Sequence, residues 1–146
     1  MRCVVALTVL LLLATAGCSQ SQQDKRDDYC AQVKKDGPDL IQISDEAGPE
    51  AFTKMLPTLE GLAEKSPQDL EDEWQSYLNA LRGWRDALEE SGVDPSDLAG
   101  GMPKDLARED KQRIRGAATV LQSPGVTAAS KGIEQHALDV CGTPLL

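Results

Sequence analysis

The chain has 146 residues, with 15 Lys and Arg against 24 Asp and Glu and a single histidine, for a formal charge of −9. That is one ordinary domain with enough chain to bury a core. The acidity argues against nucleic-acid partners and against adsorption onto anionic headgroups, and one histidine excludes a His-pair or His-rich metal site.

Met1–Cys18, MRCVVALTVLLLLATAGC, reads as an export signal. Arg2 is its only charge, Val4–Leu13 is apolar except for Thr8, and small residues lead into Cys18. The apolar run is too short to span a bilayer, which takes roughly 20 residues. Cys18 directly follows Ala16-Gly17, and this junction resembles a lipobox, with Thr15 where Leu or Val is commoner. The resemblance implies cleavage after Gly17 and a diacylglycerol on the Cys18 thiol. Two chains on one glycerol hold a protein stably, at about 0.8 kcal/mol per buried CH₂. The alternative is an ordinary secreted protein. Residues 1–17 are thus expected to be a signal peptide, 18–26 the lipidated cysteine with a flexible polar tether (SQSQQDKR), and 27–146 a helical domain. Loss of Arg2 leaves the exported part at −10, so the lipid would hold the membrane unaided.

With Cys3 discarded and Cys18 acylated, only Cys30 and Cys141 remain, and two cysteines permit one pairing. Outside the cytoplasm a disulfide is the expected state, the alternative being two buried thiols. Closing a loop of about 100 residues is worth about 4.7 kcal/mol in the chain-entropy account.

Asp27–Ala47 places Cys30, Val33, Gly37, Leu40, Ile41 and Ser44 at helical spacing, and Pro38 would either kink one helix or split it into two. Pro49–Lys65 carries Phe52, Met55, Leu56, Leu59 and Leu62 on one face, interrupted by Pro57. Ser66–Ser91 has the strongest pattern: Ser66 as N-cap, Pro67 at the first helical position, a stripe of Leu70, Trp74, Tyr77, Leu78, Leu81, Trp84 and Leu88, and Gly92 as stop. Val93–Pro103 is a loop. Lys104–Gln122 is a weaker helix with Leu106, Ala107, Ile114, Ala117, Ala118 and Leu121. Ser123-Pro124-Gly125 breaks it, and Val126–Cys141 resumes with Ala129, Ile133, Ala137, Val140 and Cys141 inward. No alternating β-branched run suggests a strand. The expected fold is an all-α bundle of four to five antiparallel helices around Ser66–Ser91, stapled by Cys30–Cys141.

Chemical motifs are scarce. His136 lacks a nucleophile-elbow partner and is expected at the rim of a packed face. The carboxylates Glu71, Asp72, Glu73, Glu89 and Glu90 lie on the charged side of a helix, where solvation is their ordinary role. Gly100-Gly101 lacks the pattern of a phosphate loop, and no calcium-loop spacing occurs. Trp74 and Trp84 share one stripe; they either pack as core or line a groove for an apolar ligand.

Asp28-Tyr29-Cys30, Leu56-Pro57, Ser66-Pro67, Asp72-Glu73-Trp74, Gly92-Val93-Asp94-Pro95, Ser123-Pro124, Ile133-Glu134-Gln135-His136 and Asp139-Val140-Cys141 follow one another in an order that resembles a group of small actinobacterial cell-surface lipoproteins. Pro38 departs from the helix-compatible residue expected there. The resemblance spans nearly the whole exported part and transfers no functional residue. The expectation is therefore a protein held on the extracytoplasmic face by the Cys18 lipid, with no catalytic residue, cofactor or metal. It would act as an interaction module for an envelope protein. The alternative is a carrier of an apolar small molecule or lipid near Trp74 and Trp84.

Overall fold

The computed structural model describes residues 21–46 and 48–146. The expected signal peptide and Cys18 lie outside the described residues. Within them the chain is an all-α bundle of five α-helices with no strand: α1 (Gln22–Asp45), α2 (Pro49–Lys65), α3 (Glu71–Glu90), α4 (Arg108–Leu121) and α5 (Pro124–His136).

Helix α1 starts earlier than its apolar pattern, inside the stretch expected to be a tether. Ser21 supplies the reason: its hydroxyl accepts from the Asp24 N–H, and the Asp24 carboxylate accepts from the Ser21 N–H. This reciprocal cap satisfies two donors that a helix start otherwise leaves to water. Residues 22–28 are exposed, so α1 begins as a polar helix rather than a coil, with Lys25 and Asp28 beside the Glu64–Ser66 end of α2. The helix is then continuous through Pro38, as α2 is through Pro57. Both prolines sit on exposed faces, where water can take the carbonyls they leave unpaired.

The junction expected to be the N-cap of the central helix is organised differently. Ser66 ends α2, with its N–H on the Ala63 carbonyl, and Pro67 opens a 3₁₀ turn over Gln68–Leu70 before α3 begins at Glu71. At its far end α3 closes as expected. Gly92 (φ +63°) lets its own N–H reach Glu89 O and the Val93 N–H reach Leu88 O, and Val93 packs with Leu88. The expected loop contains a second 3₁₀ segment, Pro95–Gly100, capped by the Asp94 carboxylate on the Ser96 N–H. Helix α4 starts at Arg108, and Ser123-Pro124 is less a break than a start: Ser123 caps α5 through the Val126 N–H, with Pro124 at the first helical position.

Helix α5 runs into a π-helical turn, Ala137–Cys141, that ends at left-handed Gly142. The wider turn brings Ala137 and Cys141 inward and leaves Leu138 and Val140 over 40% exposed, at 42% and 43%, so Val140 is not the core residue its spacing suggested. Cys141 is bonded to Cys30 of α1, with Cα atoms 5.0 Å apart.

Helix α3 is the hub, packing against α2, α4 and α5, while α1 packs on α2 and the π turn. Every apolar residue expected on the α3 stripe is buried. The core has two parts. The larger joins α1, α2, α5 and the first turns of α3 and includes Tyr29, Leu59, Trp74, Ile133 and Leu145; the smaller gathers Trp84, Leu88, Val93 and Ile114 under α4. Leu121 packs against both.

Candidate functional site

The two parts of the core do not merge completely. Between them lies a cavity of about 400 Å³, at the low end of the range of small-molecule sites. Four helices and the 3₁₀ segment build it. Helix α2 contributes Pro49 and Phe52, and α3 contributes Tyr77 and Trp84, two turns apart on its buried stripe. The 3₁₀ segment adds Leu98, α4 adds Ala118 and Leu121, and α5 adds Val126. Phe52, Tyr77, Trp84, Leu121 and Val126 are there because the helical period places them on the inward stripes of their helices. Gln122, Thr127 and Ser130 form a polar edge where α4 hands over to α5. Ser130 donates its hydroxyl proton to the Thr127 carbonyl, 3.1 Å away.

Phe52 was expected in the core and is instead 37% exposed at this cavity. Trp84 is buried, and its Nε1 has no hydrogen-bond partner. Burial raises the Tyr77 hydroxyl above its ordinary pKa, so that the ring stays neutral.

The two tryptophans of the stripe part company here. Of the two alternatives for the pair, Trp74, 2% exposed, takes the core place and does not line the cavity, whereas Trp84, itself buried, forms part of the cavity wall. Trp74 instead faces a buried polar cluster. The Tyr29 hydroxyl, Trp74 Nε1 and His136 Nδ1 are all buried without a hydrogen-bond partner, and the Tyr29 and His136 rings meet edge-on at 5.8 Å. Burial pushes the Tyr29 hydroxyl up to about 12, with the Trp74 N–H pulling the other way and the Glu134 charge adding to the rise. His136 is half-buried on the end of α5, as its position beside Ile133 suggested, and does not line the cavity.

Glu134 is a residue whose role sequence reasoning missed. One of its carboxylate oxygens accepts from both the Leu145 and the Leu146 N–H at 2.9 Å, holding the last residues against the bundle with Leu145 fully buried. A carboxylate on a helix face carries no sequence mark of such a partner.

A second hollow of about 670 Å³ among Gly92–Ala107 is wider and largely polar, with Asp97, Lys104 and Asp105 on its walls. It offers no apolar enclosure. Among the described residues no three His, Cys, Asp or Glu side chains converge on a metal position, and no helix is long and apolar enough to cross a membrane. Comparison with protein-family models, with curated proteins and with solved structures finds no match to this chain.

Proposed function

We propose that this chain is a lipid-anchored, extracytoplasmic helical binding module without a catalytic role, and that its ligand is a small apolar molecule. The observation that carries the ligand is the cavity between the two parts of the core, walled by Phe52, Tyr77, Trp84, Leu121 and Val126. An apolar cavity of this size loses dispersion contacts when empty and recovers them when filled. This moves the balance from the interaction module toward the carrier of the sequence-based expectation.

The signal-like Met1–Cys18 supports the anchor, and the Cys30–Cys141 disulfide supports an oxidising compartment. Only Ser19, Gln20 and Ser21 separate Cys18 from α1. The 24 residues of α1 then span about 36 Å, and the cavity residues Gly48 and Pro49 follow its far end. In this reading the anchor and the ligand site occupy opposite ends of one stiff helix.

A second reading, docking of an envelope protein, is favoured by the exposed Leu138 and Val140 on the π turn.

The deciding experiment is native mass spectrometry on protein released gently from its own membranes. A diacylglycerol mass on Cys18 and a co-purifying apolar molecule that Ala118→Phe abolishes are the expected results. Absence of the lipid overturns the anchor. A retained ligand in Ala118→Phe overturns the cavity as its site.

A further inference from the structure

The chemistry of the cavity lining narrows the ligand beyond "apolar", and the argument rests on the cavity being a ligand site. Acidic and basic side chains make up 27% of the chain, yet the lining includes none. Its polar members are Gln122, Thr127 and Ser130, all neutral and all on one edge. Phe52, Tyr77 and Trp84 form the apolar wall.

We propose that the cavity takes an uncharged amphiphile: an apolar body seated on the aromatic wall, ending in a hydroxyl, amide or ester that meets the Gln122–Ser130 edge. A carboxylate seated there would lose water without gaining a cation, and an ammonium would lose water without gaining an anion. The acidic charge of the whole chain adds to the rejection of carboxylates. The neutral edge, by contrast, can both give and accept hydrogen bonds. The Gln122 amide does both, and it and the Thr127 hydroxyl are engaged by no other side chain or backbone group among the described residues; Ser130 Oγ, already donating to the Thr127 carbonyl, is left as an acceptor. Tyr77 keeps its proton through neutral pH and introduces no charge.

The test uses decanol, decanoate and decylammonium, which share one chain and differ only in the charge of the end group. Each is titrated into the exported chain carrying Cys18→Ser, which has no lipid of its own to compete, and tryptophan fluorescence is followed. Trp84→Phe, which leaves Trp74 in the core, shows whether the response comes from the cavity.

Saturable binding of decanol, with both ions at least about tenfold weaker, is the expected result. Decanoate bound as tightly as decanol would overturn the inference while leaving the cavity a ligand site, because the end group would then remain in water. Tighter decylammonium would overturn it in favour of recognition by the aromatic ring faces. If no probe shifts the Trp84 signal, the cavity reading itself fails. Ser130→Lys, which supplies the missing cation, is expected to gain decanoate binding and weaken decanol; decanoate binding unchanged by it would place the end group away from this edge and overturn the assignment.

Discussion

Gly37 lies under the backbone carbonyl of Pro144, so close that a methyl group on its Cα would come within 2.8 Å of that oxygen. The last residues of the chain therefore cross α1 at the one point where α1 has no side chain, beside Pro38 and about two turns beyond Cys30. Gly37→Ala is expected to lower stability by about 1–3 kcal/mol, since backbone must shift to admit the methyl and this outweighs the gain in helix propensity. Gly83→Ala in α3, where nothing lies within 4 Å, is the control and is expected to raise stability by about 0.5–1 kcal/mol. Urea unfolding midpoints compare the two; a stabilised Gly37→Ala would show that the crossing is loose.

Glu134 fixes the same crossing from the other side. Glu134→Ala leaves the Leu145 and Leu146 N–H groups without their acceptor and is expected to cost about 1.5–3 kcal/mol. Hydrogen exchange reads this locally: those two amides should lose protection while amides in the middle of α3 keep theirs. Equal loss everywhere would show that Glu134 supports the whole bundle rather than the crossing.

Replacing Cys30 and Cys141 together by Ala removes the link between α1 and the π turn. With the cysteines 111 positions apart in sequence, the expected cost is about 2–5 kcal/mol, read as a lowered denaturation midpoint. A midpoint unchanged by the double substitution would mean that packing alone sets the position of α1.

The buried Tyr29 hydroxyl predicts a loss of stability in alkali. Its folded pKa, pushed up to about 12, stands above its ordinary value of 10.0. The unfolded chain therefore releases this proton first, and the contribution is complete below pH 10 and lost as pH rises toward 12, by about 2–3 kcal/mol. Tyr29→Phe should flatten this fall and leave the smaller part due to Tyr77, which burial also raises. At neutral pH the same substitution should cost about 1 kcal/mol or less, because the polar neighbour of the hydroxyl, the Trp74 N–H, lies outside good hydrogen-bond geometry.

Filling the cavity separates its two consequences. Ala118→Leu is expected to stabilise the protein by about 0.5–2 kcal/mol and to remove ligand binding. A destabilised variant that still binds would place the ligand elsewhere.

Much of the architecture follows from periodicity. The stripe Leu70–Leu88 marks the central helix because each of its residues is large, apolar and three or four positions from the next, and all of them are buried. Gly92 marks the end of that helix because only a residue without Cβ enters the left-handed turn cheaply. The early start of α1 was legible in Ser21 and Asp24, a capping pair that lies outside the apolar pattern. The π turn was not legible: one extra residue per turn leaves no compositional mark, and it moves Val140 to the surface.

The sequence by itself determined that the chain is helical and that α3 is its centre, because local spacing settles these; of its four cysteines it singled out Cys30 and Cys141 only on the expectation that Cys3 and Cys18 belong to an export signal and its lipid site, and the structure joins that pair. Only the tertiary structure decided that Trp84 and Phe52 line a cavity while Trp74 does not, and that Glu134 serves the distant residues Leu145 and Leu146. The reason is geometric. A helical period says which face of a helix is buried, but whether the facing helices meet or diverge there depends on packing between segments far apart in the chain, which no local pattern records.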